Sequence, residues 1–195
     1  MSNLKNLLVG KDFHFNRLKE QFKKEIAGKN VKMLDGSVNV KANIKGNGGT
    51  TNINKTSVLK SVGVTDFMNG KLDQNTNIMA DMVKLEFGNH ATETNPAKVT
   101  YSSLKSAAPV GVLHARLVLR QDNQVLFSES VSNLLEGVRK DGIAGQIGYM
   151  LENPFLLVEQ TEVVANFEYP EGISVATDKE YFTSLTIGGE KTALK

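Results

Sequence analysis

Three histidines, His14, His90 and His114, are the only imidazoles available for proton transfer or metal ligation. Either role needs partners at defined spacing, such as H-x-H or H-E-x-x-H, and no pair of them has it. Each is expected to be a solvated or capping residue. Cysteine is absent, so there is no thiolate nucleophile, thiolate metal site or disulfide. Serines occur without a G-x-S-x-G elbow. The carboxylate pairs Glu159/Glu162 and Glu168/Glu171 have the right groups for general acid–base work. They fall at outward positions of alternating runs, which predicts a solvated face instead. The glycine-rich GNGGTT at 46–51 lacks the G-x-x-x-x-G-K-[ST] register, follows an alternating run and opens no helix, so it reads as an inter-strand loop. Asn54-Lys55-Thr56 is a formal glycosylation sequon with meaning only in a secreted chain. The chain is therefore expected not to be an enzyme, with no catalytic residue, cofactor or metal.

Charge is the second chemical signal. Residues 1–32 carry eight Lys/Arg against three acids, a net of +5; the total of +2 leaves −3 for the rest. A basic arm on a mildly acidic body points to an anionic partner for the arm. Within it Phe15, Leu18, Phe22 and Ile26 recur at helical spacing, with Asp12 as N-cap and Gly28 as stop, predicting an amphipathic helix over 13–27. Four turns are too short to be very stable alone, so the helix must dock. Phe15, Leu18, Lys19, Phe22, Lys23 and Ile26 are the candidate subunit or membrane contacts. Two regions follow: a basic arm, 1–32, and a body, 33–195.

The body must position everything else, and its period is two. Val38, Val40, Ala42 and Ile44 alternate with polar residues, as do Val83, Leu85 and Phe87, then Val163, Ala165, Phe167 and Tyr169, then Tyr181, Thr183, Leu185 and Ile187. One-sided alternation predicts antiparallel sheets with one buried face. The ribbon VGVLHARLVLRQDNQVLFSESV at 110–131 turns on Asp122-Asn123. Leu113, Ala115, Leu117, Leu119, Val125, Phe127 and Val131 are assigned to its oily face. His114, Arg116 and Arg120 stand opposite, as candidate outer-face contacts. Turn-formers at 46–52, 66–70, 88–96, 169–172 and 188–190 separate about ten strands, counting weaker runs at 56–64, 97–103 and 154–160. Leu134, Leu135 and Val138 predict a helical turn followed by a long crossing connection. The expected fold is all-β: an antiparallel sandwich of jelly-roll type with an N-terminal helix. One roll fits the strand count; a compact double roll joined at Ala107-Ala108-Pro109 is the alternative.

Composition, at 40% hydrophobic and 23% charged, is that of a soluble globular chain, and no run reaches the roughly 18 apolar residues of a spanning helix. The N-terminal MSNLKNLLVGKDFHF lacks the apolar core and cleavage site of a secretion signal, which predicts synthesis in the cytoplasm. Tryptophan is absent and the aromatics sit mostly on inward parity, against a stacking platform for single strands. No helix-turn-helix or RRM signature supports base reading, so sequence-specific nucleic acid is not an expected partner.

The C-terminal half carries a resemblance. LFSESVSNLL follows the Asp-Asn turn, then come ENPFLLVEQTEVVANFEYPEG and the closing YFTSLTIGGEKT, with KLDQNTNIMADMVKLEFGN leading in. Over roughly residues 70–190 this order resembles β-sandwich capsid proteins of tailless, membrane-containing bacteriophages. The resemblance implies a self-assembling jelly-roll subunit of a virion shell, made in the host cytoplasm. Its partners would be copies of itself and other capsid proteins, and its arm would face an interior membrane or genome. An arm helix packed beneath its own sandwich is the plainer reading. A cell-surface or secreted glycan-binding sandwich is the functional alternative.

Overall fold

The computed structural model describes residues 31–136 and 148–194, together with Glu20, Lys23, Lys24 and Ala27. Phe15, Leu18, Lys19, Phe22 and Ile26 of the expected arm helix lie outside the described residues. Among the described residues eight strands appear: β1 (Val31–Asn43), β2 (Thr50–Asn52), β3 (Ile78–His90), β4 (Arg116–Gln121), β5 (Gln124–Ser130), β6 (Tyr149–Leu157), β7 (Val163–Glu168) and β8 (Glu180–Leu194). Two short helices, α1 (Val110–Leu113) and α2 (Val131–Glu136), flank the β4–β5 hairpin.

The strands form two antiparallel sheets, in order β1-β8-β3-β6 and β2-β7-β4-β5. The pairing is nested: β1 with β8, β2 with β7, β3 with β6 and β4 with β5. Only β4 to β5 stays within one sheet; every other connection between consecutive strands crosses from sheet to sheet. The innermost turn follows from its residues. Asp122 and Asn123 have φ of 49° and 60°, the left-handed conformation a two-residue hairpin turn requires and short polar side chains tolerate.

The core lies between the inner faces. Val38, Val40, Leu85, Phe87, Leu157, Leu185 and Ile187 of the first sheet meet Leu117, Leu119, Val163, Ala165 and Phe167 of the second. Phe87 stacks on Phe167 across the layers with centroids 6.4 Å apart, and Phe127 of β5 meets Phe155 of β6 at 6.4 Å. Apart from Leu157 and Phe155, which lie in the weaker run at 154–160, these positions were legible as the apolar half of an alternating run.

Several details differ from expectation. Residues 110–113 form a helical turn, because Pro109 has no N–H to give a ladder and instead leads the turn, which buries Val112. Val125 stands outside the core, 56% exposed. The register shifts between Leu119, opposite Phe127, and Arg120, opposite Val125, and this bulge moves Val125 to the outward face. Residues 56–64 and 97–103 are not strands; they are straps. Lys41 N–H donates to Val64 O at 2.7 Å and Asp66 N–H to Asn39 O at 2.9 Å, closing part of the β1 edge. Phe87 and Ser102 exchange backbone bonds at 2.9 Å, closing β3 where β6 ends. The glycine pair at 188–189, expected as a turn, lies inside β8.

Candidate interaction surfaces

Three surfaces present chemistry. The first is the outward face of the β2-β7-β4-β5 sheet, where alternation directs the basic residues of β4. Arg116 is exposed and Arg120 half-buried; His114, also exposed, is not in the strand but caps the helical turn α1 that precedes it. Arg116 Nη1 donates to Ser128 Oγ at 3.3 Å, and Arg120 Nη2 pairs with Glu168 at 3.0 Å. Glu168 is opposite Arg116 in the ladder, so the Arg120 side chain runs along the sheet past Asn166 and Val118. Those two are buried, 8% and 3% exposed, although they occupy outward parity. Arg120 Nε and Asn166 Oδ1 are buried without a hydrogen-bond partner.

The other residues considered for chemistry serve local structure. His90 Nδ1 accepts from Glu93 N–H at 2.8 Å and Thr92 N–H at 3.2 Å, capping the loop after β3. Glu159 accepts from the Asn75 N–H, and Glu168 is engaged by Arg120. His14 lies outside the described residues. Asn54, the sequon asparagine, is 3% exposed, and its Nδ2 donates to Val163 O at 2.7 Å and Gly70 O at 3.3 Å. A folded chain cannot present that nitrogen to a glycan-transferring enzyme. Lys23 is exposed and pairs with Glu20 at 2.8 Å.

The second surface is a trough of about 330 Å³ on the outward face of the first sheet, under the straps. Asn39, Lys41, Glu86 and Ser184 form part of its lining, with Asp66 and Tyr101 from the straps. Asn39 Nδ2 donates to Ser184 Oγ at 3.0 Å and Thr186 Oγ1 at 2.9 Å, and Asn39 N–H donates to Asp66 Oδ2 at 2.8 Å. Lys84 pairs with Glu86 at 2.9 Å, and Lys41 Nζ sits 5.0 Å from the centre of the Tyr101 ring. Burial pushes the Tyr101 phenol above its ordinary range, and its hydroxyl donates to Pro96 O at 2.8 Å. These groups satisfy one another, so the trough stitches straps to sheet.

The third surface lies on the same sheet face, toward the start of β1. It is a groove of about 470 Å³ whose lining includes Asp35, Asp81, Met82, Met150 and Glu190. A bulge makes it. Ala80 pairs with Gly189 and Met82 with Gly188, leaving Asp81 as the extra residue. On the β6 side the partners jump from Phe155 to Met150 at the same point. Bulges re-aim side chains, and this one brings Asp81 to Asp35 of β1 and Glu190 of β8. The Met82 side chain fills the space a Cβ would take at Gly148 and Gly188. Among the described residues no group of three or more His, Asp or Glu is arranged to hold a metal ion.

The Asp81 carboxyl faces into the groove although the residue is exposed as a whole. Partial desolvation pushes its pKa above the ordinary 3.8; its own backbone N–H opposes the rise, and the charges of Glu190 and Asp35 add to it. A carboxyl raised on folding stabilises the fold while protonated, and that contribution is lost as pH rises through the folded value. Asp81→Asn is therefore expected to raise the urea midpoint at neutral pH. The gain should shrink as pH falls through the raised folded value toward 3.8, the ordinary value, and be absent below it. A gain that persisted at low pH would show that repulsion and desolvation are not its source.

Sequence reasoning missed this groove. Its one local signal was the glycine pair inside an alternating run, which marks a bulge or close approach as readily as a turn.

No family model matches this chain, and no curated protein does. Among solved structures it is similar to VP17, a capsid protein of bacteriophage P23-77, at 12% identity and a TM-score of 0.23, covering 84% of this chain and 77% of that one. So loose a superposition carries no inference about this chain. Among the described residues no helix is long and apolar enough to cross a membrane.

Proposed function

We propose that this chain is a structural subunit of a viral shell, its sandwich a single jelly roll of the kind found in tailless, membrane-containing bacteriophages. The observation that carries the reading is the nested order β1-β8-β3-β6 over β2-β7-β4-β5. Rolling up one long antiparallel hairpin of four strand pairs generates that order, and viral capsid domains use it repeatedly. Fold alone does not fix function, since lectins and cupins share the architecture. Two further features favour a building block. The sequence order over 70–190 resembles such capsid proteins, and a net-basic arm precedes a mildly acidic body. In a shell the arm would face inward, where each lysine near an anionic lipid surface contributes about 1 kcal/mol.

The test is to image the purified protein by electron microscopy and measure its mass in solution across a concentration range. Shells, sheets or closed rings are the expected result. A chain that stays monomeric throughout and gives a glycan-array signal would overturn the proposal in favour of a binding module.

A further inference from the structure

We propose that the methionine-floored groove on the outer face of the first sheet receives the basic N-terminal arm of a second copy of this chain. The inference rests on the shell reading only in requiring that copies meet.

The groove has an apolar and an anionic component. Met33 and Met150 are 48% and 45% exposed, and Met82 lies on the floor. Three of the chain's six methionines thus gather at one end of one sheet face, Met33 on the parity of Asp35 and one step further along β1. Exposed methionines are soft, unbranched side chains that mould to an incoming apolar stripe. Around them stand Asp35, Asp81 and Glu190, with no cationic partner among the described residues; the nearby Lys191 directs its Nζ to Ser37 O, at 3.4 Å. Since these carboxylates are not arranged around a single ion site, an extended cationic segment meets them better than a metal ion does.

The same chain supplies a segment with the complementary pattern. Residues 1–30 carry seven Lys/Arg against three acids, and Phe15, Leu18, Phe22 and Ile26 fall at helical spacing among them. A basic amphipathic segment offers an oily stripe to the methionines and ammonium groups to the carboxylates. The four described residues of the arm are not buried against their own sandwich. Glu20, Lys23, Lys24 and Ala27 are exposed, and Lys23 is paired with Glu20. The groove of one copy and the arm of another are then mutual partners, a head-to-tail contact that can extend into a closed assembly.

The experiment mixes nitrogen-15-labelled and unlabelled full chains and joins carboxylates to amines with a carbodiimide. Peptides are then read by mass spectrometry. The expected products link Asp35, Asp81 or Glu190 to Lys19, Lys23 or Lys24, with one light and one heavy partner. In Asp35→Asn with Glu190→Gln the links from Asp81, whose carboxyl stays reactive, should also fall while circular dichroism stays unchanged. Links found only within light or only within heavy chains would overturn the second-copy assignment. Shells that form with none of these links would overturn the inference and leave the shell reading standing. A permanently monomeric chain would instead remove that reading.

Discussion

Gly189→Ala is expected to destabilise the fold by about 4 kcal/mol, combining left-handed-region strain with overpacking against backbone. Gly189 has φ of 152°, and a Cβ built there would lie 2.1 Å from Met79 O and 3.1 Å from both Ala80 Cα and Asp81 N. These are main-chain atoms of β3, held by ladders to β8 on one side and β6 on the other, so they cannot yield independently. For a chain of this size the loss corresponds to a melting temperature lower by about 10 °C. Gly188→Ala is the matched control. Its Cβ would meet Met82 Cε at 2.7 Å, the free end of a flexible side chain that can swing aside. Its cost is expected below about 1 kcal/mol, since the clash is relieved by rotation. Thermal unfolding of the two variants side by side checks the contrast; equal losses would mean that the bulge does not require close backbone approach.

Phe167→Ala should cost a similar amount, about 4 kcal/mol, the usual range for emptying a fully buried aromatic position. Phe167 is 0% exposed on the inner face of β7. It stacks on Phe87 of the facing sheet at 6.4 Å and meets Tyr169 edge-on at 6.1 Å. The variant loses transfer energy, leaves a cavity between sheets and gives up ring contacts worth about 1 kcal/mol. Because domains are stable by roughly 5–15 kcal/mol, this one residue carries a large share. Phe167→Leu keeps most of the volume and should recover all but about 1.5 kcal/mol. Urea titration gives both values. If the alanine variant unfolded with an unchanged midpoint, the two sheets would not be joined through this ring pair.

The buried alternation was legible, residue by residue. Val38, Val40, Leu85, Phe87, Leu117, Leu119, Ala165, Phe167, Leu185 and Ile187 are all in the core where their parity placed them. The Asp122-Asn123 turn and the helical turn at Leu134 and Leu135 were legible too, since each is settled within a few residues. Val125 was not, because the bulge that reverses its face depends on how β5 registers against β4. The straps at 56–64 and 97–103 were read as strands, since half-apolar runs look alike whether they join a ladder or lie across a sheet.

The groove shows the same limit at the level of function. Asp35, Asp81 and Glu190 lie in separate strands, β1, β3 and β8, far apart along the chain. Alternation could place each on an outward face or in a turn, but nothing local makes them neighbours.

The sequence by itself determined that this chain builds sheets with one oily face, that it has no thiol chemistry, and that its positive charge is concentrated ahead of the first strand. Tertiary structure alone decided which strands pair, where registers slip and which distant carboxylates share a groove. The physical reason is the range of the forces. The pleat repeats every two residues and writes itself into the local pattern. Partner and register instead depend on contacts whose loop-closure cost grows only slowly with separation, so sequence distance says little about which strands meet.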